Sequence, residues 1–444
     1  MRFTTLFHAG LLAALTSPAS AGTLTVTDLG DAGTGACQAT CTLRDAIASA
    51  APGDTIAFAS TLSYPATITL NGQELLIYKD LLLVGPGARQ LAIDGNSQSR
   101  LLEIAPNASA IVSGLALTNG QVAGVDGGFT SEPRARDGGD AYGGAVFVNA
   151  GASLQLSACW LIGNRATGGF GGRTSQSFGT QGSGGSGHGG AIYSEGSLML
   201  NDTLLNSNYA WGGAPGDVLL GGNSGVQGNG GSAAGGAIEA TGFTQITNSQ
   251  FLSNALQAYF GGNGSGAGDA GGDGGSARGG AMAFSGFAYV SFVTSLGNTI
   301  GAGFGGSGDP NGASGVAVGA DIYTRATLLS RSNVFISTSG ATACSAGTIV
   351  AQGANFDADG SCQHFTLHGD AKLQGVNDGG ATVALPLWGS PLIDAAIDCN
   401  DPFADPQTHD VRGVTRPLDG NADGTAACDL GAAESDALFA NGFE

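Results

Sequence analysis

The chain has 444 residues, 80 of them glycine, and a formal charge of −20, although charged residues make up only 11%. Glycine shows no three-residue period along the chain as a whole, which excludes collagen, and a hydrophobic fraction of 42% excludes full disorder. A pI near 4.3 also argues against nucleic acid as a partner.

Residues 1–21 predict a secretory signal peptide. Arg2 supplies a short positive region, an apolar run extends from Ala9 to Leu15, and Ala19–Ala21 forms an A-x-A cleavage site. Cleavage after Ala21 leaves Gly22 as the first mature residue. No later run of about 18 apolar residues predicts a membrane helix. We therefore expect a secreted or cell-surface protein.

Residues 22–100 predict an N-terminal cap and the first coils of a repeat fold. Thr42–Ala50 is the one convincing helix, apolar on one face and stopped by Pro52-Gly53. This helix is expected to cover the open end of the repeat, because an exposed edge strand templates aggregation. Short strands are predicted at Thr55–Phe58, Ala66–Leu70, Leu75–Ile77, Leu81–Val84, Leu91–Ile93, Leu101–Ile104 and Ala110–Leu117.

A four-times-repeated Gly-Gly-Ala marks residues 101–340. Its spacings are 46, 46 and 44 residues, and its starting positions are Gly143, Gly189, Gly235 and Gly279. A second set keeps the same phase, at Asn164, Asn208, Asn254 and Asn298. A period of roughly 20 to 50 residues indicates stacked units. Because the units contain short β-type segments and no amphipathic helix, they predict an all-β parallel β-helix, with each strand pairing one coil later at about 4.8 Å.

Glycine-rich insertions interrupt the repeats at Gly168–Gly187, Gly212–Gly231 and Gly261–Gly275. Each repeat is interpreted as about 20 residues of coil plus an insertion of similar length that leaves the coil at one recurring corner. The insertions are therefore expected to line up along one side. Their low aromatic content favours spacers that tolerate change over functional loops.

The seven cysteines agree with export, since an oxidising compartment makes disulfides the default over metal sites. Proximity in sequence suggests Cys37 with Cys41, Cys344 with Cys362, and Cys399 with Cys428. Sequence alone leaves the connectivity open. Cys159 is then the unpaired cysteine, expected to be a small buried apolar residue in a repeat strand.

Several motifs resemble those of known bacterial families. Cys41–Ala46, followed by Pro-Gly-Asp-Thr-Ile at 52–56, resembles the motif that names the CSLREA domain. The repeats are similar to the GGA-I and F-x-x-N repeats of polymorphic outer-membrane proteins, and the second motif is complete at Phe251–Asn254. Three later segments resemble the choice-of-anchor Q family: Gly389–Ala395, Val411–Pro417 and Cys428–Ala432.

These resemblances cover most of residues 23–434 and imply a right-handed β-helix on an exported bacterial protein, with no established reaction. The choice-of-anchor Q family often has Ala at the position of Leu392 and Gln at that of Val411, so this chain departs from the pattern there. Residues 341–434 are expected to hold the last coils and the choice-of-anchor Q-like region. The tail 435–444, with Phe439–Glu444, resembles Phe-x-x-Gly-Phe-Glu endings and reads equally as a recognition tag or a frayed terminus.

Polysaccharide lyases and glycosidases are the usual enzymes on this fold, but the fold alone does not decide. A lyase needs a cation and a base, and both lysines, Lys79 and Lys372, lie outside the repeats. A glycosidase needs two carboxylates about 5 to 10 Å apart. Glu195 and Glu239 occupy similar strand positions in adjacent repeats, and Asp202 follows Glu195 closely. They are the best catalytic candidates, and each has a simpler role as a solvated outward residue.

Calcium is the one cofactor that the sequence suggests. Asp419, Asn421 and Asp423 have the D-x-N-x-D-G spacing that wraps oxygens around a cation. The bidentate Glu of an EF-hand is replaced by Leu430, so the site would be partial, and acidic turn residues are the common alternative.

The sequence therefore favours an exported, monomeric β-helix with a structural, adhesive or interaction role at a cell surface and no identifiable catalytic site. Its expected partners are a surface polysaccharide or the surface of a host or neighbouring cell. The alternative is a polysaccharide-degrading enzyme, or a non-catalytic carbohydrate-binding protein, on the same scaffold. Clustered carboxylates with an aromatic groove across neighbouring coils would favour the enzyme, whereas a smooth surface with disordered glycine loops would favour the interaction protein.

Overall fold

A computed structural model describes residues 21–435 except 177, 217–224 and 265–267. Strands stack in parallel rows, each pairing with its counterpart one coil later. The register follows the repeat, as in Val146 to Ile192 to Ile238. The prediction of an all-β parallel β-helix is confirmed. The predicted signal peptide, up to Ser20, and the tail from Asp436 lie outside the described residues.

Each full coil contributes a strand to five rows. The first row, after the Gly-Gly-Ala corner, holds Leu75–Ile77, Leu102–Ile104, Val146–Val148, Ile192–Ser194, Ile238–Ala240 and Met282–Phe284. The second holds Thr23–Val26, Thr55–Phe58, Leu81–Val84, Ser109–Ser113, Ser153–Ser157, Ser197–Asn201, Thr244–Thr247 and Ala288–Ser291. Ile322–Arg331 joins the first two rows, and Cys344–Gln352 pairs with it.

The remaining rows complete the coil. The third holds Ala66–Thr69, Leu91–Asp94, Ala116–Thr118, Trp160–Ile162, Leu204–Asn206, Gln250–Leu252, Thr294–Leu296, Val334–Ile336, Phe356–Asp357 and Leu367–His368. The fourth holds Gln121–Ala123, Arg165–Thr167, Tyr209–Trp211, Ala255–Gln257 and Thr299–Gly301. The fifth holds Ala141–Tyr142, Gly187–His188, Ala233–Ala234, Ala277–Arg278 and Ala317–Val318. Outside the rows, Phe129–Thr130 pairs with Arg173–Thr174 in parallel, and Leu373–Asp378 pairs with Ala381–Pro386 in antiparallel.

The predicted helix and early strands are confirmed, with one exception among the strands. The helix spans Leu43–Ser49, and the Thr42 hydroxyl caps it by accepting the N–H of Asp45 at 3.1 Å. The predicted single strand Ala110–Leu117 is wrong, because the chain turns at Gly114 with φ of +61° and forms two strands. The strand Thr23–Val26 was not predicted.

Strand alternation builds the core. Ser153–Ser157 alternates between half-exposed and buried positions, with Leu154 and Leu156 turned inward. The same inward positions recur from coil to coil, so the apolar side chains form continuous columns. The one described cysteine without a disulfide, Cys159, is completely buried in this core, as predicted.

The Gly-Gly-Ala corner requires its residue types. The first glycine of each copy has φ between +58° and +72°, a region that L side chains rarely adopt. The alanine of each copy is fully buried, as at Ala191. In the next coil, Gly319, Ala320 and Asp321 take these three positions. A carboxyl group is thereby placed where the other coils bury a methyl group.

The phase-locked asparagines form a buried ladder along the axis. Asn208 Nδ2 donates to Asn254 Oδ1 at 2.9 Å, and Asn254 Nδ2 donates to Asn298 Oδ1 at the same distance. Each side-chain oxygen also accepts the backbone N–H of the residue at the same position one coil earlier, as Asn254 does for Asn208 at 3.0 Å and Asn164 for Gly120 at 2.8 Å. The ladder therefore satisfies the backbone at a turn inside the coil.

Asp321 ends this ladder. Its Oδ1 accepts from Ser295 at 2.6 Å and from Asn298 at 3.2 Å, whereas its buried Oδ2 has no hydrogen-bond partner. Burial raises the pKa of Asp321 to about 7, and the nearby carboxylates Asp357 and Asp359 add to the effect. Below about pH 7, the folded protein therefore holds Asp321 mainly in its protonated form.

We expect Asp321 to make the protein less stable as the pH rises from about 4 to about 7, because its folded pKa lies above its unfolded value. The Asp321→Asn variant should lose this dependence. Between about pH 5.5 and about pH 8.5, the free energy of unfolding of this variant should rise by about 2 kcal/mol relative to that of the wild type, as measured by urea unfolding. The exposed Asp370→Asn is the control. An equal difference from the wild type at both pH values would contradict the prediction.

The glycine-rich insertions form a second, hydrogen-bonded body, which we call the glycine lobe. Each described insertion has an outgoing and a returning leg. Backbone N–H groups of one leg donate to backbone oxygens of another, alternately within one insertion and between successive insertions. Gly185 donates to the oxygen of Gly169, Gly213 to that of Gly185, and Gly231 to that of Gly213, at 2.8–3.0 Å. The predicted alignment of the insertions along one side is confirmed.

The legs of the glycine lobe are not tolerant spacers. A Cβ atom at Gly185, Gly213 or Gly231 would lie 2.0 Å from a backbone oxygen of a neighbouring leg. These close contacts recur every three residues, as at Gly182 and Gly185, and only glycine fits them, for the same reason as in collagen. The side chains of residues between these closely packed glycines point away from the neighbouring legs. On the returning legs, Asp137, Ser183 and Asn229 use their oxygens to accept an N–H of the next coil.

After His368 the chain leaves the stack and folds back along it. Residues 371–435, which we call the C-terminal segment, cover the third row and its neighbouring turn. Gln250 exchanges two hydrogen bonds of 2.9 Å with the backbone of Ala384, and the N–H of Gly431 donates to the oxygen of Ser332 at 2.8 Å. All three suggested disulfides are confirmed, and Cys399–Cys428 lies within this segment.

Candidate functional site

The three carboxylates singled out from the sequence do not form one group. Glu239 lies in the first row, and Glu195 follows the first-row strand of the preceding coil. Asp202 lies beyond the second row, where Asn248 Nδ2 donates to its Oδ1 at 2.5 Å. Glu195 and Asp202 are close in sequence but lie on different faces of the coil, because the second-row strand Ser197–Asn201 and a turn separate them.

Glu239 belongs to a set of side chains at the Gly-Gly-Ala corner, which we call the corner cluster: Tyr142, Phe147, His188, Tyr193 and Glu239. Two of these residues precede the corner in the fifth row, where Tyr142 pairs with His188. The other three follow it in the first row, with Phe147 beside Tyr193 and Tyr193 beside Glu239. The sharp turn at the glycine brings the two rows face to face.

Aromatic contacts hold the corner cluster together. The rings of Tyr142 and His188 stack with centroids 4.8 Å apart and planes 11° apart. Tyr193 lies 4.7 Å from Tyr142 and 5.6 Å from Phe147. Arg100 covers the free side of Phe147 at 5.2 Å and pairs with Glu74 at 2.5 Å. The cluster therefore extends over neighbouring coils.

His188 and Glu239 form the polar centre of the corner cluster. His188 Nδ1 lies 2.7 Å from Glu239 Oε2, and the two side chains are 22% and 16% exposed. Burial opposes the charged imidazole, but the hydrogen bond and the negative charge of Glu239 outweigh it, so the pKa of His188 is raised. The ion pair is thus favoured to a higher pH than for a free histidine.

Three carboxylates act on the two tyrosines. Burial raises the pKa of Tyr142 to about 12, and the charges of Asp140, Glu239 and Glu195 add to this effect. Burial, followed by Glu239 and Glu195, also raises the pKa of Tyr193. The Tyr142 hydroxyl lies 3.1 Å from Asp140 Oδ2. Both phenols stay protonated at any physiological pH, and that of Tyr142 donates its hydrogen to Asp140.

The corner cluster thus combines the half-buried rings of Tyr142 and Phe147, the largely buried ring of Tyr193 and an excess of carboxylate acceptors. Such a surface can pack against the apolar face of a sugar ring and hydrogen bond to its hydroxyl groups. The carboxylates disfavour polyuronates and other anionic chains. Glu239 and Glu195 both lie close enough to Tyr142 and Tyr193 to raise the pKa of these phenols, and paired carboxylates are the residue type that glycoside hydrolysis uses.

Sequence reasoning found Glu195 and Glu239 but missed the aromatic residues around them. A usable signal existed, since Tyr142 and His188 both directly precede a Gly-Gly-Ala, and Phe147, Tyr193 and Glu239 all follow its first glycine by four residues. The pair of His188 with Glu239 carried no local signal, because its members belong to different coils and lie 51 residues apart.

The suggested calcium ligands lie in an exposed turn of the C-terminal segment. Asp419 accepts the N–H groups of Asp423 and Gly424, and Asn421 accepts that of Asp423, at 2.9–3.1 Å. These bonds fold the residues into an acidic turn, the alternative that the sequence offered for them. Within the described residues, no group of three or more His, Cys, Asp or Glu side chains is arranged to hold a metal ion.

No protein-family model matches this sequence, and the search of curated proteins finds no match either. The described residues contain no helix that is both long and apolar enough to cross a membrane.

Proposed function

We propose that this chain is an exported β-helix protein that binds polysaccharide at its corner cluster, in an adhesive or interaction role at a cell surface. The observation that supports this most is the combination of Tyr142, Tyr193 and Glu239 across three adjacent coils. Carboxylates beside aromatic side chains across neighbouring coils were the feature expected of an enzyme on this scaffold, and the same side chains suit sugar binding without catalysis. The cluster lies on the rigid corner of a stack, so its geometry is fixed before binding.

Export rests on the signal peptide predicted at 1–21 and agrees with the three disulfides. The resemblance to CSLREA and choice-of-anchor Q proteins supports a bacterial surface or secreted location. The net charge of −20 favours neutral or amino sugars over uronates.

We expect the mature protein, residues 22–444, to bind at least one neutral or amino-sugar polysaccharide in a panel that also contains polygalacturonate. The Tyr142→Ala variant should bind about tenfold more weakly, because it removes the ring that stacks on His188 and faces Tyr193. Isothermal calorimetry with matched oligosaccharides measures the change. Tyr78→Ala, an exposed tyrosine of the cap, is the control. Equal weakening by both variants, or binding of none of the neutral or amino sugars, would refute the proposal.

Hydrolysis is a second candidate function, favoured by Glu239 and Glu195, which both lie close to Tyr142 and Tyr193. It would appear as new reducing ends when the same polysaccharides are incubated with the protein, with and without calcium. Product that disappears in Glu239→Gln but persists in the exposed control Glu132→Gln would establish an enzyme. Binding without product would leave the non-catalytic function standing.

A further inference from the structure

A cleft with a volume of about 330 Å³ lies apart from the corner cluster, between the second row and the C-terminal segment. Its floor is a column of three outward side chains from successive coils, Gln155, Met199 and Gln245. Its roof comes from Asp405 to His409. This volume lies at the lower end of the range of small-molecule sites, about 300–1,000 Å³.

The roof is held in place independently of any ligand. The Cys399–Cys428 disulfide ties its beginning to the body of the C-terminal segment. The N–H of Gln407 donates to the oxygen of Cys399 at 2.7 Å, and Asn248 Nδ2 donates to the oxygen of His409 at 3.0 Å. The ring of Phe403 packs against Tyr289 at 4.6 Å. The cleft is therefore formed in advance of binding.

The floor offers hydrogen-bonding groups that the protein itself does not use. In the described part of the chain, the side-chain amides of Gln155 and Gln245 have no hydrogen-bond partner. Neighbouring strands are about 4.8 Å apart, so the two amides flank the apolar thioether of Met199 at about twice that separation from each other. Each amide can donate and accept.

The rim adds acceptors. Asp202 and Asp405 supply carboxylates, and the Thr247 hydroxyl lies between the floor and the rim. Burial raises the pKa of Asp202 despite its hydrogen bond from Asn248. An apolar centre surrounded by donors and acceptors complements a pyranose ring, whose hydroxyl groups point outward around apolar C–H faces. The carboxylates exclude uronates and phosphates.

We propose that this cleft binds one or two units of an uncharged sugar, at a site separate from the corner cluster. Gln155 and Gln245 hydrogen bond to the hydroxyl groups of the sugar, and Met199 packs against its C–H face. The roof closes over the ring from the C-terminal segment. This site goes beyond the proposed function, because it involves another face of the coil and no residue of the corner cluster.

Saturation-transfer NMR on the mature protein tests the proposal, with glucose, galactose, N-acetylglucosamine and galacturonate as probes. At least one neutral sugar should receive saturation, and galacturonate should not. The double variant Gln155→Leu/Gln245→Leu should reduce the signal at least tenfold. Gln352→Leu, an outward glutamine in a later coil of the same stack, should retain it, and circular dichroism checks the fold of each variant.

The outcomes distinguish the two sites. Signal that is lost in the double variant but kept in Tyr142→Ala supports the cleft. Signal that survives the double variant, or is lost only in Tyr142→Ala, assigns sugar binding to the corner cluster and overturns the proposal. Absence of transfer to every neutral sugar, with the protein folded, also overturns it without bearing on the longer chains that the corner cluster is proposed to bind.

Discussion

Replacement of Arg416 by methionine is expected to destabilise the attachment of the C-terminal segment by about 3–5 kcal/mol. Arg416 is fully buried at the interface between this segment and the coils. Its Nη2 donates to Asn248 Oδ1 at 3.2 Å and to the oxygen of Gly431 at 2.8 Å, and its guanidinium lies 4.7 Å from the ring centroid of Phe292. The substitution removes all these contacts.

The cost comes chiefly from the acids that Arg416 leaves behind. Glu434 Oε1 lies 3.4 Å from Nη1 of Arg416, and Glu434 and Asp429 are both buried beside it. Burial and the neighbouring Glu434 already raise the pKa of Asp429 to about 8 with the arginine present. Asp429 is therefore already largely protonated near pH 7, and without the cation Glu434 must also take up a proton or the segment must open.

Hydrogen exchange resolved by residue measures the effect where it occurs. Amides of the C-terminal segment, such as Gly431 and Leu430, should exchange faster in Arg416→Met, whereas amides of the central coils should not change. Arg134→Met is the matched control, since its ion pair with Asp137 is largely exposed and should cost under about 1 kcal/mol. Uniformly unchanged exchange would show that Arg416 does not hold the segment.

The same interface explains residues that looked like family signatures in the sequence. Arg416 belongs to the segment Val411–Pro417, and Gly431 to Cys428–Ala432. Leu392 is buried against the last coils in one cluster with Val334 and Phe356. Each motif thus contributes to docking on the coils. The structure gives them a packing role that does not depend on any anchor.

The repeat was predictable from the sequence because its signals come from backbone geometry. A corner with positive φ needs glycine, as at Gly189, and a buried ladder needs an amide at a fixed phase, as at Asn208. Both requirements recur once per coil. The attachment of the C-terminal segment had no such signal, since contacts like that of Asn248 with Arg416 join residues 168 apart and occur once.

The close packing of the glycine lobe was not predicted, for a different reason. Averaged over the whole chain, glycine has no three-residue period, and on that basis collagen-like packing was excluded. Within a leg the spacing is present, as at Gly228 and Gly231, because only glycine allows the backbones to approach so closely. The glycine content of the full chain therefore did not reveal the three-residue glycine spacing that determines how the lobe packs.

Replacement of Asn254 by leucine should destabilise the central coils by about 2–5 kcal/mol, because it breaks the buried ladder in the middle. Leucine has a similar volume, so no large cavity forms. It leaves the backbone N–H and the Nδ2 of Asn208 without the acceptor that they share, at 3.0 and 2.9 Å in the wild type. It also leaves the oxygen of Leu205 without the donor that lies 3.1 Å away.

Urea unfolding followed by far-ultraviolet circular dichroism gives the magnitude, and the same substitution at Asn206 gives the reference. Asn206 is half-exposed and its side chain accepts only from Ser207 Oγ within the described residues, so Asn206→Leu should change the stability by less than about 0.5 kcal/mol. Asn254→Asp should also be destabilising, since it keeps the acceptor for Asn208 but loses the donors to Leu205 and Asn298 and buries a carboxyl group. If Asn254→Leu were as mild as Asn206→Leu, the asparagines would mark the repeat without stabilising it.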